Sequence, residues 1–305
     1  MDLSVDLGGL KLANPLVAAS GVFGYGEEYC RVGDISWFGA VTVKGTTLHP
    51  RAGNPPPRIA ETPSGMLNSI GLENPGAREV ARSKIPWLHK FGVPIIVNIS
   101  GDSYDEFAEL AAIFADTDGV GALEANVSCP NVSAGGMAFG LDARSTYRVA
   151  AVIRSRWSGP LVVKLTPNAH NIAQIARAAT EGGADVLSLI NTLVGVAIDV
   201  KTRRPVLGSR TGGLSGPAVK PVALRCVYEV SEAVSTPIIG MGGVSSADCV
   251  LEFLLAGAWA VGIGSSLLTD PTLPGRILTD LGAYFQTHDI STPKELVGAA
   301  WRGKG

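Results

Sequence analysis

The sequence predicts a (β/α)8 barrel, and three observations predict it. Eight short apolar runs recur along the chain, rich in Val, Ile and Leu and without polar alternation. Strands buried on both faces read this way. Segments with helical periodicity separate the runs. The 305 residues show no linker and no shift in composition, so 1–305 reads as a single domain. An open doubly wound sheet is the runner-up, but the chain lacks the G-x-G-x-x-G first turn that such a sheet usually carries.

The elements follow in order. SVDLGGLKLANP reads as a small hairpin that turns at Gly8-Gly9 and closes the barrel bottom. Strands are expected at 16–19, 40–43, 94–99, 122–126, 161–165, 186–190, 237–239 and 260–263. Helices are expected at 77–91, 103–117, 145–157, 171–182, 218–234 and 246–256. The first unit offers only a weak helical segment near 27–33, and SSLLTDPTLPGRILTDLGAYF follows the last strand. Long loops follow strands 2, 4 and 6. The first, 45–75, is rich in proline. The second carries Gly135, Gly136 and Gly140. The third, 191–216, contains VAIDVKTRRPVLG, a possible strand pair. Loops this long in a compact domain usually bind or cover something.

Composition excludes several classes of function. Hydrophobic residues are 46% of the chain and charged residues 17%, which excludes disorder. The net charge of −2 leaves no electrostatic footprint for nucleic acid. Phe253 to Thr269 is uncharged, but Gly257, Gly262 and Gly264 divide it into helix end, strand and helix start rather than a membrane span. MDLSVDLGG has no signal pattern, so a soluble, cytoplasmic protein is expected. Cys30, Cys129, Cys226 and Cys249 lie far apart with no C-x-x-C pair, which argues against zinc, an iron–sulfur cluster or a disulfide framework. His49, His89, His170 and His288 share no metal spacing, and no metal site is expected.

A barrel carries its chemistry at the C-terminal ends of its strands. Those ends here are Ser20-Gly21, Lys44-Gly45, Asn98, Asn126, Lys164, Asn191-Thr192, Gly242-Gly243 and Gly264-Ser265. Each alone is an ordinary solvent-facing residue. Two lysines and three asparagines converging on one face favour a polar ligand. The turns GMGGVSS at 240–246 and GIGSS at 262–266 let backbone N–H groups approach an anion, so a phosphate is expected after strands 7 and 8. Lys164 stands among Leu161, Val162, Val163 and Leu165, where burial penalises its charge unless an anion compensates. It either balances charge on a cofactor or acts as a Schiff-base nucleophile.

NVSCPN at 126–131 is the sharpest feature. A cysteine directly after a barrel strand, flanked by polar residues, can serve as nucleophile or proton carrier. Cys226 and Cys249 fall in helical patterns and read as packing. Asp105, Glu106 and Glu109 read as solvated faces of a helix.

These motifs together resemble the class 1 dihydroorotate dehydrogenases along essentially the whole chain. The markers are NPLVAASG at 14–21, VTVKGTTLHPRAGNP at 41–55, NSIGLENPG at 68–76, ANVSCPNV at 125–132, VVKLTPN at 162–168, SLINTL at 188–193, TGGLSGPAVKPVALR at 211–225 and IIGMGGVSSADC at 238–249. GGMAFG and TGGLSGPA look like the NAD-linked subtype, class 1B, and its catalytic subunit. Gly45 departs from the pattern, which usually has a hydroxyl residue there.

The resemblance implies an FMN-binding (β/α)8 barrel that oxidises (S)-dihydroorotate to orotate in de novo pyrimidine (UMP) synthesis. By position, it makes Cys129 the base that removes a proton from C5, with hydride passing from C6 to the flavin. It places Ser20, Lys44, Gly45, Asn98, Asn126, Lys164, Ile190, Gly216, Gly242, Gly243, Gly264 and Ser265 around FMN. It places Lys44, Asn68, Ser69, Ile70, Gly71, Leu72, Asn126, Asn191 and Thr192 around the substrate. It also implies a homodimer core joined by a partner subunit carrying FAD and a [2Fe–2S] cluster, a heterotetramer delivering electrons to NAD+. Competing readings are a class 1A fumarate-linked enzyme, a dihydropyrimidine dehydrogenase-type flavin chain, a flavin-free Schiff-base lyase using Lys164 and a non-catalytic phosphate-binding barrel.

Overall fold

The computed structural model describes residues 2–128, 130–131 and 137–302. Eight parallel strands close into a barrel in chain order: Leu16–Ala18, Ala40–Thr46, Ile95–Ile99, Ala122–Asn126, Leu161–Lys164, Val186–Leu189, Ile238–Met241 and Ala260–Ile263. The last strand pairs with the first, Val261 opposite Leu16. Nearly every residue of these strands is buried, because one face meets the barrel interior and the other meets helices. The expected (β/α)8 architecture is the one found.

The seventh strand runs past its expected end into Gly240 and Met241, and Gly262 lies inside the eighth. These glycines are packing positions rather than turns. A Cβ on Gly240 would stand 2.6 Å from Phe253 Cδ1, and one on Gly262 would stand 2.9 Å from Met241 Cβ.

Helices pack outside the barrel, and side-chain caps set where several begin. Ser103, Asp142, Asn171 and Ser246 each accept a hydrogen bond from the backbone N–H three residues on. They start Tyr104–Ala115, Ala143–Arg154, Ile172–Glu181 and Ala247–Ala256. Pro221 and Pro274 open Lys220–Ala233 and Leu273–Thr287 from within the first turn. The second unit is composite: Ala77–Glu79 runs through a π-helical stretch, Val80–Lys84, into Ile85–His89. The first unit departs from expectation. A single turn, Ser20–Phe23, and a 3-10 turn, Tyr29–Arg31, replace a helix over 27–33. Gly24 and Gly26 between them take φ of +65° and +88°, values that stop a right-handed helix.

The N-terminal hairpin pairs Val5–Leu7 with Leu10–Leu12 around Gly8 and Gly9, as expected. Its Val5, Leu7, Leu10 and Leu12 pack into one cluster with Val17, Ile96, Val162, Val186 and Ile239 from the barrel strands. The hairpin is a plug at the N-terminal end of the barrel.

The long loops after strands 2 and 6 share one antiparallel sheet, ordered Leu193–Gly195, Gly212–Ser215, Gly65–Asn68 and Ile59–Thr62. The expected pair within 196–208 is present as Ile198–Asp199 with Arg204–Pro205. The hairpin Ile59–Thr62/Gly65–Asn68 had no clear sequence pattern. The loop after strand 4 pairs Pro130–Asn131 with Met137–Ala138.

Candidate active site

The strand ends and the two-loop sheet enclose a cavity of about 630 Å³, within the usual range of ~300–1,000 Å³ for small-molecule sites. A second hollow of about 360 Å³ lies where strands 7 and 8 begin, lined by residues such as Thr236, Trp259 and Trp301. The larger one has the polar strand ends and the barrel face on which chemistry is found.

Three groups of expected residues line the larger cavity. At the floor stand Ser20, Lys44, Gly45, Asn98, Asn126, Lys164 and Ile190. Under the sheet stand Asn68, Ser69, Ile70, Gly71 and Leu72, facing Asn191 and Thr192. At one end stand Gly216, Gly242, Gly243, Gly264 and Ser265. Cys129 lies outside the described residues, as do Gly135 and Gly136.

The floor is held by side-chain hydrogen bonds between strands. Asn191 Nδ2 donates to Ser128 Oγ at 2.8 Å and to Asn126 Oδ1 at 3.3 Å, tying strand 6 to strand 4. The Asn191 Oδ1 accepts from the Thr192 N–H. Lys164, 7% exposed, has its ammonium 3.9 Å from the Glu124 carboxylate, so the compensating anion is within the protein. Asn98 Nδ2 donates to the same carboxylate, and Ser188 Oγ donates to its other oxygen. Sequence reasoning passed over Glu124. The signal was there, since an acid inside the strand ALEAN is as anomalous as a lysine inside LVVKL.

Lys44 lies two residues before the end of strand 2, where its N–H bonds to the Gly24 carbonyl at 2.8 Å. Burial holds its ammonium below the usual lysine value. Glu73 and Glu28 act in the opposite direction, and Arg58 adds to the lowering.

The segment over the cavity is braced from behind. Ser69 Oγ accepts from Asn54 Nδ2 at 2.7 Å and from Ser209 Oγ at 2.5 Å. Gly71 takes φ +76°, and a Cβ there would collide with Asn54 N at 2.5 Å. Sequence reasoning missed the apolar groups that this sheet and its neighbours contribute, among them Ile59, Met66, Leu214 and Val219. They come from short, partly buried segments whose pattern names no partner.

Gly243 takes φ +72°, and a Cβ would stand 2.8 Å from Lys220 Cβ and 2.9 Å from the Gly216 carbonyl. Backbone alone fits there, which leaves room for a ligand to approach the main chain. Cys226 and Cys249 are buried against the core, as expected. Burial pushes the Cys226 thiol up. At Cys249 burial also acts upward, but hydrogen bonds from Ser246 and Ser245 prevail and lower it.

These residues fit an elongated ligand with a polar ring and an anionic tail. Asn98 Oδ1 is buried, has no partner among the described residues and lies beside Gly45 on the cavity wall. Lys164 offers a cation and the glycine turns offer backbone. No helix among the described residues is long and apolar enough to cross a membrane.

A family model described as "Dihydroorotate dehydrogenase" matches residues 2–285. A protein of Desulforamulus reducens named "Dihydroorotate dehydrogenase B (NAD(+)), catalytic subunit" is 51% identical over 300 residues, 98% of this chain and 99% of its own. Proteins of the same name from Bacillus pumilus and Desulforudis audaxviator are 48% and 50% identical. They cover 98% and 99% of this chain, and 97% and 98% of their own lengths. With half of all positions shared along its full length, and a barrel whose strand ends meet in one polar cavity, this chain belongs to the dihydroorotate dehydrogenase family.

Proposed function

We propose that this chain is the FMN-binding catalytic subunit of an NAD-linked, class 1B dihydroorotate dehydrogenase. It oxidises (S)-dihydroorotate to orotate for pyrimidine synthesis in the cytoplasm, and residues 1–305 form one FMN-binding domain. The observation that carries the reading is the shared name of relatives that match nearly its entire length at about half identity.

The cavity suits that chemistry. Ser20, Gly45, Asn98, Asn126, Lys164 and Ile190 hold the flavin ring, and Gly216, Gly242, Gly243, Gly264 and Ser265 receive its phosphate-bearing chain. When bound, FMN supplies the acceptor for hydride from C6. Asn68, Asn126 and Asn191 offer amides whose paired donors and acceptors match a ring imide. Ser69 to Leu72 and Thr192 complete the substrate pocket. Lys44 offsets the substrate carboxylate. Cys129 takes the C5 proton as general base. The sheet over the cavity excludes water, which strengthens each of these polar contacts. Electrons leave through a partner subunit with FAD and a [2Fe–2S] cluster, arranged around a homodimer of this chain.

An anaerobic absorption spectrum of the purified chain, before and after dihydroorotate, tests the reading. A yellow protein that bleaches is expected. A yellow protein that bleaches only with 5,6-dihydrouracil-type bases would overturn the substrate, and a chain that takes up no FMN would overturn the whole. Reduction of NAD+ is expected only after the partner subunit is added. Turnover with fumarate alone would point to class 1A instead.

A further inference from the structure

One buried acid at the floor has no task in this chemistry. Glu124 lies in the fourth barrel strand and is 1% exposed. Its carboxylate gathers partners from three other strands: Asn98 from the third, Lys164 from the fifth and Ser188 from the sixth. Strand register brings them together, with Asn98 opposite Glu124 and Lys164 opposite Ser188. A buried carboxylate is costly, and an apolar side chain of similar volume would pack the position as well. Its place beside Asn98 and Lys164 points to an effect on what the cavity presents.

Two effects follow from its bonding. A carboxylate accepts hydrogen bonds and donates none. Asn98 must therefore turn its amide nitrogen toward Glu124 and its carbonyl oxygen away, which leaves Oδ1 buried and unpartnered beside Gly45. Asn98 thus faces the ligand as an acceptor. The charge on Lys164 is also already offset at 3.9 Å, so the wall is a dipole rather than a net cation.

We propose that Glu124 is a positioning residue that acts through Asn98 and Lys164. It orients the cavity wall for a ring edge bearing an N–H donor, and it limits how far the wall stabilises the ring's reduced, anionic form. The proposal rests on the reading that the ring is FMN.

The test uses the full chain, freed of cofactor and titrated with FMN by fluorescence quenching, and then the midpoint potential of the bound flavin. Failure of the unaltered chain to bind FMN would overturn the FMN reading itself, and this proposal with it. With FMN bound, Glu124→Gln is expected to raise the potential, because it leaves Lys164 uncompensated. The expected size is at least tenfold in the ratio of reduced to oxidised flavin, about 30 mV for a two-electron couple. It is also expected to weaken FMN binding, since Gln can donate to Asn98 and let the amide turn. Lys164→Met should lower the potential, and Lys164→Met with Glu124→Gln should return it toward the original. Glu124→Asp keeps the charge and should lie between the original and Glu124→Gln. A folded Glu124→Gln protein with the original potential would overturn the proposal. Should Glu124→Gln fail to fold, the same smaller upward shift is read in Glu124→Asp, and an unmoved potential there is the overturning result. Failure of both to fold would assign Glu124 to the stability of the barrel and would also overturn it.

Discussion

Lys44 and Lys164 both lie in the C-terminal halves of barrel strands, yet their surroundings differ. Lys164 has Glu124 beside it, whereas Lys44 is depressed by burial, and the acids that oppose the effect, Glu73 and Glu28, do not cancel it. The sign for stability follows. The unfolded chain holds the Lys44 proton more tightly than the folded one. Stability from this group therefore rises with pH between its lowered folded value and its ordinary one, and is at its least below that window. Anion binding runs the other way. Orotate binding should weaken as pH rises through the lowered Lys44 value, and Lys44→Met should remove that alkaline limb. Binding titrations over a pH series check this; an alkaline limb that survives in Lys44→Met would assign it to another group. For Cys129, substitution by Ala should leave FMN binding intact and slow flavin reduction by dihydroorotate ~10²–10⁴-fold, the usual contribution of a general base. Anaerobic stopped-flow measurement gives that rate, and an unchanged value would remove Cys129 from the mechanism. At this scale the lysines and asparagines were legible, because a polar residue at the end of an apolar run is an anomaly in one dimension. Glu124 carries the same anomaly, but its importance lies in which neighbours it meets.

Four of the described α-helices begin where the sequence supplies a side-chain cap, and this is local information. Asn171 accepts from the Gln174 N–H at 3.0 Å on an exposed surface and does not line the cavity. Asn171→Ala should cost about 1 kcal/mol of stability while leaving FMN binding unchanged, which thermal melts and FMN titration measure together. The glycine runs were harder to apportion. GMGG reads as one turn, yet Gly240 belongs to a strand pressed against Phe253 while Gly242 and Gly243 form the turn. Only the packing of Ala247–Ala256 on the seventh strand separates the two. The sheet over the cavity lay beyond local reading for a similar reason. Its four short strands come from 59–68 and 193–215, and the ladder between Gly65–Asn68 and Gly212–Ser215 joins the two loops. Strands so short carry too little pattern to announce their pairing.

The whole molecule is organised around two apolar regions on either side of the barrel wall. The larger lies between strands and helices and contains Phe23, Phe107, Phe114, Phe139, Phe253 and Phe285, all fully buried. The smaller fills the barrel's N-terminal end and is sealed by the hairpin. The cavity opens at the other end, so plug and site are separated by the length of the barrel. Leu7→Ala, at 1% exposure in that plug, should destabilise the chain by about 2–5 kcal/mol. Denaturant unfolding measures the loss; FMN affinity should hold at concentrations where the protein stays folded, and a parallel loss of affinity would show that the plug and the site are coupled.

The sequence by itself determined the barrel, the order of its strands, the plugging hairpin and the polar residues at the strand ends. Each follows from spacing and residue type within a short window, where burial on two faces or a cap leaves a local mark. Tertiary structure decided the rest: that the two long loops share one sheet over the cavity, that the first helix shortens to turns, and that Glu124, Asn98, Lys164 and Ser188 form one bonded cluster. These depend on strand register and on contacts between residues 26 to 149 positions apart, which the tertiary fold brings together and no local pattern specifies.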